Sequence, residues 1–279
     1  MKLPRIGVFD SGVGGLTVLK ALAERLPAHY FYFGDTARLP YGTKSAATVA
    51  RYAIGATRFL ESKQIDLLVI ACNTASALAL SRIKEAATVP VIGVVEPGAA
   101  MAAEVSRKRK AIVIATEATV ASHAYRDALQ RHGVEAFEKA CPLFVPLVEE
   151  GWIEHPVTEQ VARIYFDEAL ALSDGADVLV LACTHYPLIA PLLRRTAPAQ
   201  MTIVDSAEST ASVVKKMVEE WKNSHPALSQ SRGKDGAPAY SDHRSFQFFV
   251  TDSIEKFKKL ATRFLGRQVD HVEHIDLGG

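Results

Sequence analysis

Residues 66–75 read DLLVIACNTA, and residues 177–186 read DVLVLACTHY. The two stretches lie 111 residues apart, agree at five of ten positions, and place Cys72 on Cys183. Each is an acidic residue, a run of branched apolar residues, then a cysteine and a polar dipeptide. A short continuous apolar run of this kind is the pattern of a parallel strand buried on both faces. The cysteine then falls at the carboxyl end of its strand. Two copies in one chain imply two related half-sites, with two thiols directed at one ligand.

The same rhythm extends on both sides. Apolar runs at 6–9, 30–33, 66–71 and 89–95 read as strands, separated by helical spacing at 16–26, 45–63 and 72–86. A second set follows, with strands at 111–115, 143–148, 177–182 and 202–205 and helices after Thr116 and over 157–172. A last strand is expected at 245–252 and a last helix at 253–266. Strand–helix alternation predicts an α/β fold with parallel sheets and right-handed crossovers. The expected architecture is two similar domains related by pseudo-two-fold symmetry, with the active site in the interdomain cleft. Residues 1–97 with 209–279 would form the first, and 98–208 the second. Ligands of such sheets bind beyond the carboxyl ends of the strands. Asp10, Asp35, Cys72, Glu96, Thr116, Glu149 and Cys183 are all expected at such ends.

Bulk properties narrow the function. Lys and Arg total 32 against 31 Asp and Glu, so nothing pulls the chain toward nucleic acid or an anionic membrane. No apolar run approaches the ~18 residues of a membrane span. The N-terminus enters a strand almost at once, so no signal peptide is expected and the chain reads as cytoplasmic. Its three cysteines are then expected as reduced thiols. The segment 222–245 is rich in Ser, Gly, Pro and Lys and reads as a polar surface excursion.

Two equivalent thiols could form a redox disulfide, hold a metal, supply a nucleophile, or act as acid and base on opposite faces of a substrate. A redox pair usually sits in one C-x-x-C motif, which is absent. A metal site wants further Cys or His near each thiol, and only His185 is close. A nucleophile needs one thiol, not a matched pair. Two-base proton transfer explains the duplication directly. Each cysteine is expected to open a helix, whose N-terminus lowers a thiol pKa. Cys141 has no counterpart and reads as a small buried hydrophobe.

The run Asp10-Ser11-Gly12-Val13-Gly14-Gly15 follows a strand, as a dinucleotide loop would. Its third glycine would be residue 17, which is Thr17, and Asp10 would repel a pyrophosphate. No phosphate loop of the G-x-x-x-x-G-K type is present. Asp10 reads instead as a partner for a cation or a reacting proton, with Ser11 as a helix cap. A dinucleotide-binding oxidoreductase and a non-catalytic binding protein that retains the cleft are the rivals from other classes. The pair His271 and His274 reads as exposed, without a third ligand.

FDSGVGGLTV (9–18), GDTARLPYG (34–42), ACNTAS (71–76), GVVEP (93–97) and LACTHYPL (181–188) together closely resemble the glutamate racemases. The resemblance runs from about residue 6 to about 210 and continues more weakly to the end. It implies cofactor-independent interconversion of L- and D-glutamate, supplying D-glutamate for peptidoglycan and so for cell shape. It implies Cys72 as the base toward D-glutamate and Cys183 as the base toward L-glutamate. Asp10 would assist Cys72, and Glu149 with His185 would assist Cys183. Ser11, Tyr41, Gly42, Asn73, Thr74, Thr119, Thr184 and His185 fall where the family binds its amino acid, together with Asp10. No metal, pyridoxal lysine or other cofactor is expected, and a homodimer is the expected assembly. The excursion at 222–245 is longer than the connection usual in the family. Some members carry an N-terminal extension tied to activation by a peptidoglycan precursor. This chain begins near its first strand and is expected not to need that activator.

Overall fold

The computed structural model describes residues 3–173, 175–224 and 244–277; most of the polar segment at 222–245 lies outside them. The first half contains β1 (Arg5–Asp10), α1 (Leu16–Arg25), β2 (His29–Gly34), α2 (Ala46–Ser62), β3 (Leu67–Ile70), α3 (Asn73–Ala86) and β4 (Val91–Gly93). A 3-10 turn at Tyr41–Thr43 precedes α2. The second half contains α4 (Val95–Val105), β5 (Lys110–Ala115), α5 (Glu117–Ala121), α6 (Ala124–Arg131), β6 (Glu135–Ala140), α7 (Phe144–Glu150), α8 (Pro156–Leu172), β7 (Val178–Ala182), α9 (Ala190–Thr196) and β8 (Thr202–Asp205). The chain closes with α10 (Ser206–Ser224), β9 (Ser245–Val250), α11 (Ile254–Leu265) and β10 (Val272–His274).

These strands form two sheets, ordered β10-β9-β2-β1-β3-β4 and β6-β5-β7-β8, and every pairing is parallel. The order β2-β1-β3-β4 repeats as β6-β5-β7-β8. The likeness of the two cysteine strands is therefore one trace of a repeated four-strand unit. In both units the cysteine strand pairs with the first strand, so β3 lies beside β1 and β7 beside β5. All four residues of β3 and all five of β7 are buried, as their unbroken apolar runs require. One apolar cluster runs from Val8 and Leu19 through Val214 of α10 to Leu179 and Leu181, so the two sheets share a continuous core. Leu19 is fully buried within it. Truncating such a leucine to alanine costs ~2–5 kcal/mol.

Five features depart from the sequence reading. Residues 143–148 form part of helix α7, not a strand. Pro146 lies in its first turn, where an amide N–H has no intrahelical acceptor and its loss costs nothing. The second strand of the second unit is instead β6, whose sequence EAFEKA lies at a half-exposed sheet edge and carries too few apolar residues to stand out. The expected helix after Thr116 is two helices, α5 and α6, broken at His123, which sits in the left-handed region at φ 56°. Glu96 lies in the first turn of α4 and bonds Arg131 (2.7 Å) and His132 (2.8 Å) on the surface, away from the strand ends. The edge strand β10 was not foreseen; His271 and His274 are exposed, as expected.

Candidate active site

Parallel register puts the chemistry in place. Asp10, the last residue of β1, aligns with Gly34, and the Ala71 N–H donates to the Phe9 carbonyl at 2.8 Å. Cys72 therefore emerges next to the Asp10–Ser11 turn. In the second sheet Ala115 aligns with Ala182, so Thr116 and Cys183 emerge side by side. Both sets of strand ends open on one cavity of about 350 Å³. Cys72 and Cys183 both line it, and each is only 5% exposed. A pocket at the meeting of two parallel sheets is where this architecture places a small ligand.

On the Cys72 side, the sulfur caps α3 by accepting the Ala75 N–H at 3.4 Å and donates to the Ser11 Oγ at 3.5 Å. Helix-end polarity was expected to depress this thiol's pKa, but burial wins. The thiol is pushed up to about 12, first by desolvation and then by the Asp10 carboxylate, against the Ser11 and Ala75 hydrogen bonds. Asp10 is buried just behind the lining. Its Oδ2 accepts the Gly12 N–H at 2.9 Å, while its Oδ1 has no partner. Burial raises the Asp10 carboxyl above its ordinary value despite His185 and the N–H groups of Gly15, Gly12 and Ser11.

The Cys183 side is built differently. Cys183 does not open an α-helix; the chain passes through Thr184 and His185 into a short 3-10 turn at Tyr186–Ile189. The His185 Nε2 meets Glu149 Oε1 at 3.1 Å. Glu149 was expected to end a strand; it sits instead on the last turn of α7 and still reaches the pocket. Burial alone would strip the His185 proton, but hydrogen bonding and charge from Cys183 and Glu149 outweigh it and lift the pKa to about 10. The His185 hydrogen bond in turn holds the Glu149 carboxyl below its ordinary range.

The remaining expected binding residues fall around the same cavity. Ser11, Tyr41, Gly42, Asn73, Thr74 and Thr184 line it. Thr119 is buried one layer back, and its hydroxyl forms a triangle with Thr74 (3.3 Å) and Thr116 (2.9 Å), closed by a 3.0 Å Thr74–Thr116 contact. Thr74 stands on α3 and the other two at the start of α5, so the triangle joins the two halves. Asn73 accepts the Tyr125 hydroxyl at 2.6 Å and donates to Ser206 at 3.3 Å, leaving its second amide hydrogen and backbone N–H for a ligand. The Tyr41 hydroxyl is committed to Asp35 at 2.5 Å. What Tyr41 and Gly42 offer is the leading N–H groups of their 3-10 turn, which have no acceptor within the turn. Asp35 serves this loop and does not line the cavity.

The glycine-rich run has a steric purpose. A Cβ on Gly14 would lie 2.2 Å from the Thr184 Oγ1 and 2.5 Å from the His185 Nδ1, and one on Gly15 would lie 2.5 Å from the Asp10 Cβ. The loop is bare so that the Asp10 turn can pack directly on the Thr184–His185 segment. Thr116, expected at a strand end, lines the cavity, whereas sequence reading missed the wall made by Pro142, Val145 and Pro146. The signal for that wall was present, because a proline inside 143–148 argues against a central strand. Among the described residues, no three His, Cys, Asp or Glu side chains cluster as a metal set. No described helix is long and apolar enough to cross a membrane.

Fold and site together define a duplicated α/β protein built around two buried thiols at equivalent strand ends. Residues 6–214 match the model of the Asp/Glu/Hydantoin racemase family. A glutamate racemase from Koribacter versatilis is 57% identical over 99% of this chain and 98% of its own. Among solved structures, a glutamate racemase isoform from Bacillus anthracis superposes with TM-score 0.88 at 33% identity, covering 99% of both chains. A glutamate racemase from Francisella tularensis in complex with D-glutamate gives TM-score 0.84 at 33% identity, again covering 99% of both. The chain belongs to the Asp/Glu/Hydantoin racemase family.

Proposed function

We propose that this protein interconverts L- and D-glutamate without a cofactor, using Cys72 and Cys183 as paired acid and base at Cα. The observation that carries this reading is the pair of buried thiols at matching strand ends, lining one small cavity with different helpers. In the L-to-D direction, the Cys183 thiolate takes the α-proton and the C–H electron pair stays on Cα. The Cys72 thiol then delivers its proton to the opposite face. The thiol and thiolate have exchanged places, and the reverse reaction starts from Cys72. Burial keeps the proton on Cys72, so the unliganded site already holds the proton that L-to-D turnover delivers. His185, protonated at neutral pH, stabilises charge developing on the adjacent sulfur, and Glu149 holds its ring.

Substrate placement follows from the free donors and acceptors. The unpartnered Asp10 Oδ1 accepts from the ammonium group, next to Ser11. Asn73, Thr74 and Thr119 bind the α-carboxylate at the start of α3 and α5, where helix ends favour anions. The N–H groups at Tyr41 and Gly42, with Thr184 opposite, hold the side-chain carboxylate. Enclosure between 1–97 with 209–279 and 98–208, taken as two domains, excludes water from the carbanion and strengthens these contacts. The product would supply D-glutamate for peptidoglycan in the cytoplasm, the role that the resemblance to the glutamate racemases implies.

The test is incubation of pure, pyridoxal-free protein with L-glutamate in deuterated water. Loss of optical rotation with one deuterium entering Cα per inversion is expected. Racemisation without solvent label, or turnover of L-aspartate alone, would sink the proposal.

A further inference from the structure

Helix α11 packs against α1 and β10, on the side of the six-stranded sheet. Three of its side chains nevertheless end on the pair that serves Cys183 in the other half. The Arg263 guanidinium donates through Nη1 to two carbonyls in the last turn of α7, Val148 at 3.0 Å and Glu149 at 2.5 Å. These belong to the four carbonyls a helix cannot satisfy internally, and a cation there also opposes the helix dipole. Gly151 ends α7 at φ 88°, and a Cβ there would lie 2.5 Å from the Arg263 Nη2. The position thus needs glycine both for its backbone and to leave room for the guanidinium. Phe264, one residue on, meets the His185 ring edge-to-face, with centroids 5.2 Å apart at 86°. Lys256, two turns earlier, adds positive charge near the Glu149 carboxylate.

We infer that Arg263, with Phe264 beside it, is a positioning residue that fixes the last turn of α7 so that Glu149 meets His185. Neither side chain reaches the cavity occupied by substrate. Arg263 holds the backbone of Glu149 while Phe264 limits the tilt of the His185 ring. A carboxylate–imidazole bond of 3.1 Å between a helix end and a loop depends on both restraints. The remaining titratable groups that face His185 are Cys183 on its own loop and Asp10 from the end of β1. Because the clamp comes from the other half of the molecule, the Cys183 helpers are set correctly only when the halves are docked. This inference rests on the roles proposed above for His185 and Glu149.

The experiment is a double-mutant cycle on the full chain, with Arg263→Met, Glu149→Gln and the combination, and Arg263→Lys in parallel. Far-UV circular dichroism and melting establish folding. Arg263→Met is expected to lower kcat about tenfold or more with KM changed less than about threefold. In the Glu149→Gln background the same change should cost less than about twofold, because residues acting as one unit are not additive. The alkaline limb of kcat/KM should move to lower pH in Arg263→Met, and Arg263→Lys should restore part of both effects. Full multiplicativity, an unmoved alkaline limb or wild-type kcat in Arg263→Met overturns the inference while leaving Glu149 its role. Wild-type kcat in Glu149→Gln itself removes the underlying reading, and the inference falls with it. If Arg263→Met does not fold, Arg263→Lys carries the same cycle, with the same outcomes at smaller amplitude.

Discussion

The two thiols begin from nearly the same strand and end in opposite surroundings. Cys72 caps a 14-residue helix, bonds Ser11 and Ala75, and has a buried carboxylate, Asp10, for its nearest charge. Cys183 caps no such helix and stands beside an imidazole held by a carboxylate. Burial, and then the Asp10 carboxylate, keep the proton on the Cys72 sulfur. Duplication preserved the part that must be alike, a strand delivering a thiol. The residues after each cysteine differ, as the proposed two-sided proton transfer on a chiral amino acid requires.

Removing a thiol is the harshest way to break this comparison. Cys72→Ala and Cys183→Ala should each lower racemisation by about 10³-fold or more, followed by circular dichroism, since each direction needs both groups. Retention of activity within about tenfold in either variant would mean that the two halves are not acid–base partners. The helpers sharpen the same comparison. Asp10→Asn and His185→Gln are each expected to cost about 10²-fold in kcat. Their signatures should be mirror images. Weakening the Cys72 side should enlarge the α-deuterium isotope effect with D-glutamate more than with L-glutamate, and weakening the Cys183 side should do the reverse. Equal effects from both enantiomers in both variants would leave no division of labour between the sides.

Much of this was legible in the sequence, for a physical reason. Strands buried on both faces must be apolar throughout, so β1, β3, β5 and β7 announce themselves, and parallel register brings Ser11, Cys72, Thr116 and Cys183, one or two residues after them, to the pocket. Edge strands carry no such requirement, which is why EAFEKA at β6 and VEH at β10 went unseen. The run at 143–148 misled because six apolar residues fit a buried strand or a short helix equally well, and only Pro146 argued for the helix. Glu149 reaches the pocket from a helix and not from the strand end expected for it. The clamp from Arg263 was invisible, because it joins residues 114 or more positions apart through backbone carbonyls, which carry no side-chain signature. Helix-end polarity at Cys72 was legible but its effect was not. Burial decides the sign there, and Cys72 owes it to a cluster of distant residues such as Phe9, Tyr41 and Phe249.

The glycine loop tests whether the halves must touch as closely as they do. Gly14→Ala places a methyl group against Thr184 and His185, whereas Gly12→Ala meets only the Leu39 Cδ2 at 3.3 Å. Overpacking of this kind costs ~1–3 kcal/mol. Gly14→Ala should therefore lose about tenfold or more in kcat by displacing His185, while Gly12→Ala keeps a near-normal melting temperature. A Gly14→Ala protein with unaltered kcat would show that the Asp10 turn and the His185 segment can separate without harm.

The smallest expected effect is in stability against pH, and it separates the two sides by range. The folded His185 titrates at about 10 against an ordinary 6.5, so its contribution is present in full below pH 6.5 and is lost as pH rises through about 10. The folded Cys72 titrates at about 12 against an ordinary 9.0, giving the same sign in a higher window, because the buried thiolate is the disfavoured form. Glu149 is shifted downward, so its contribution is present above pH 4.5 and is lost on acidification. The melting temperature should thus decline from pH 7 to 10. His185→Gln should flatten that decline, whereas Cys72→Ala should flatten only the part above pH 9. Asp10 carries the opposite burden. Its pKa is raised above 3.8, so at pH 7 its buried, half-satisfied carboxylate already destabilises the fold. Asp10→Asn should therefore melt at or above the wild-type temperature while losing activity. A lower melting temperature in that variant would mean that the Asp10 charge is compensated by groups around it and is not held in reserve for the substrate ammonium.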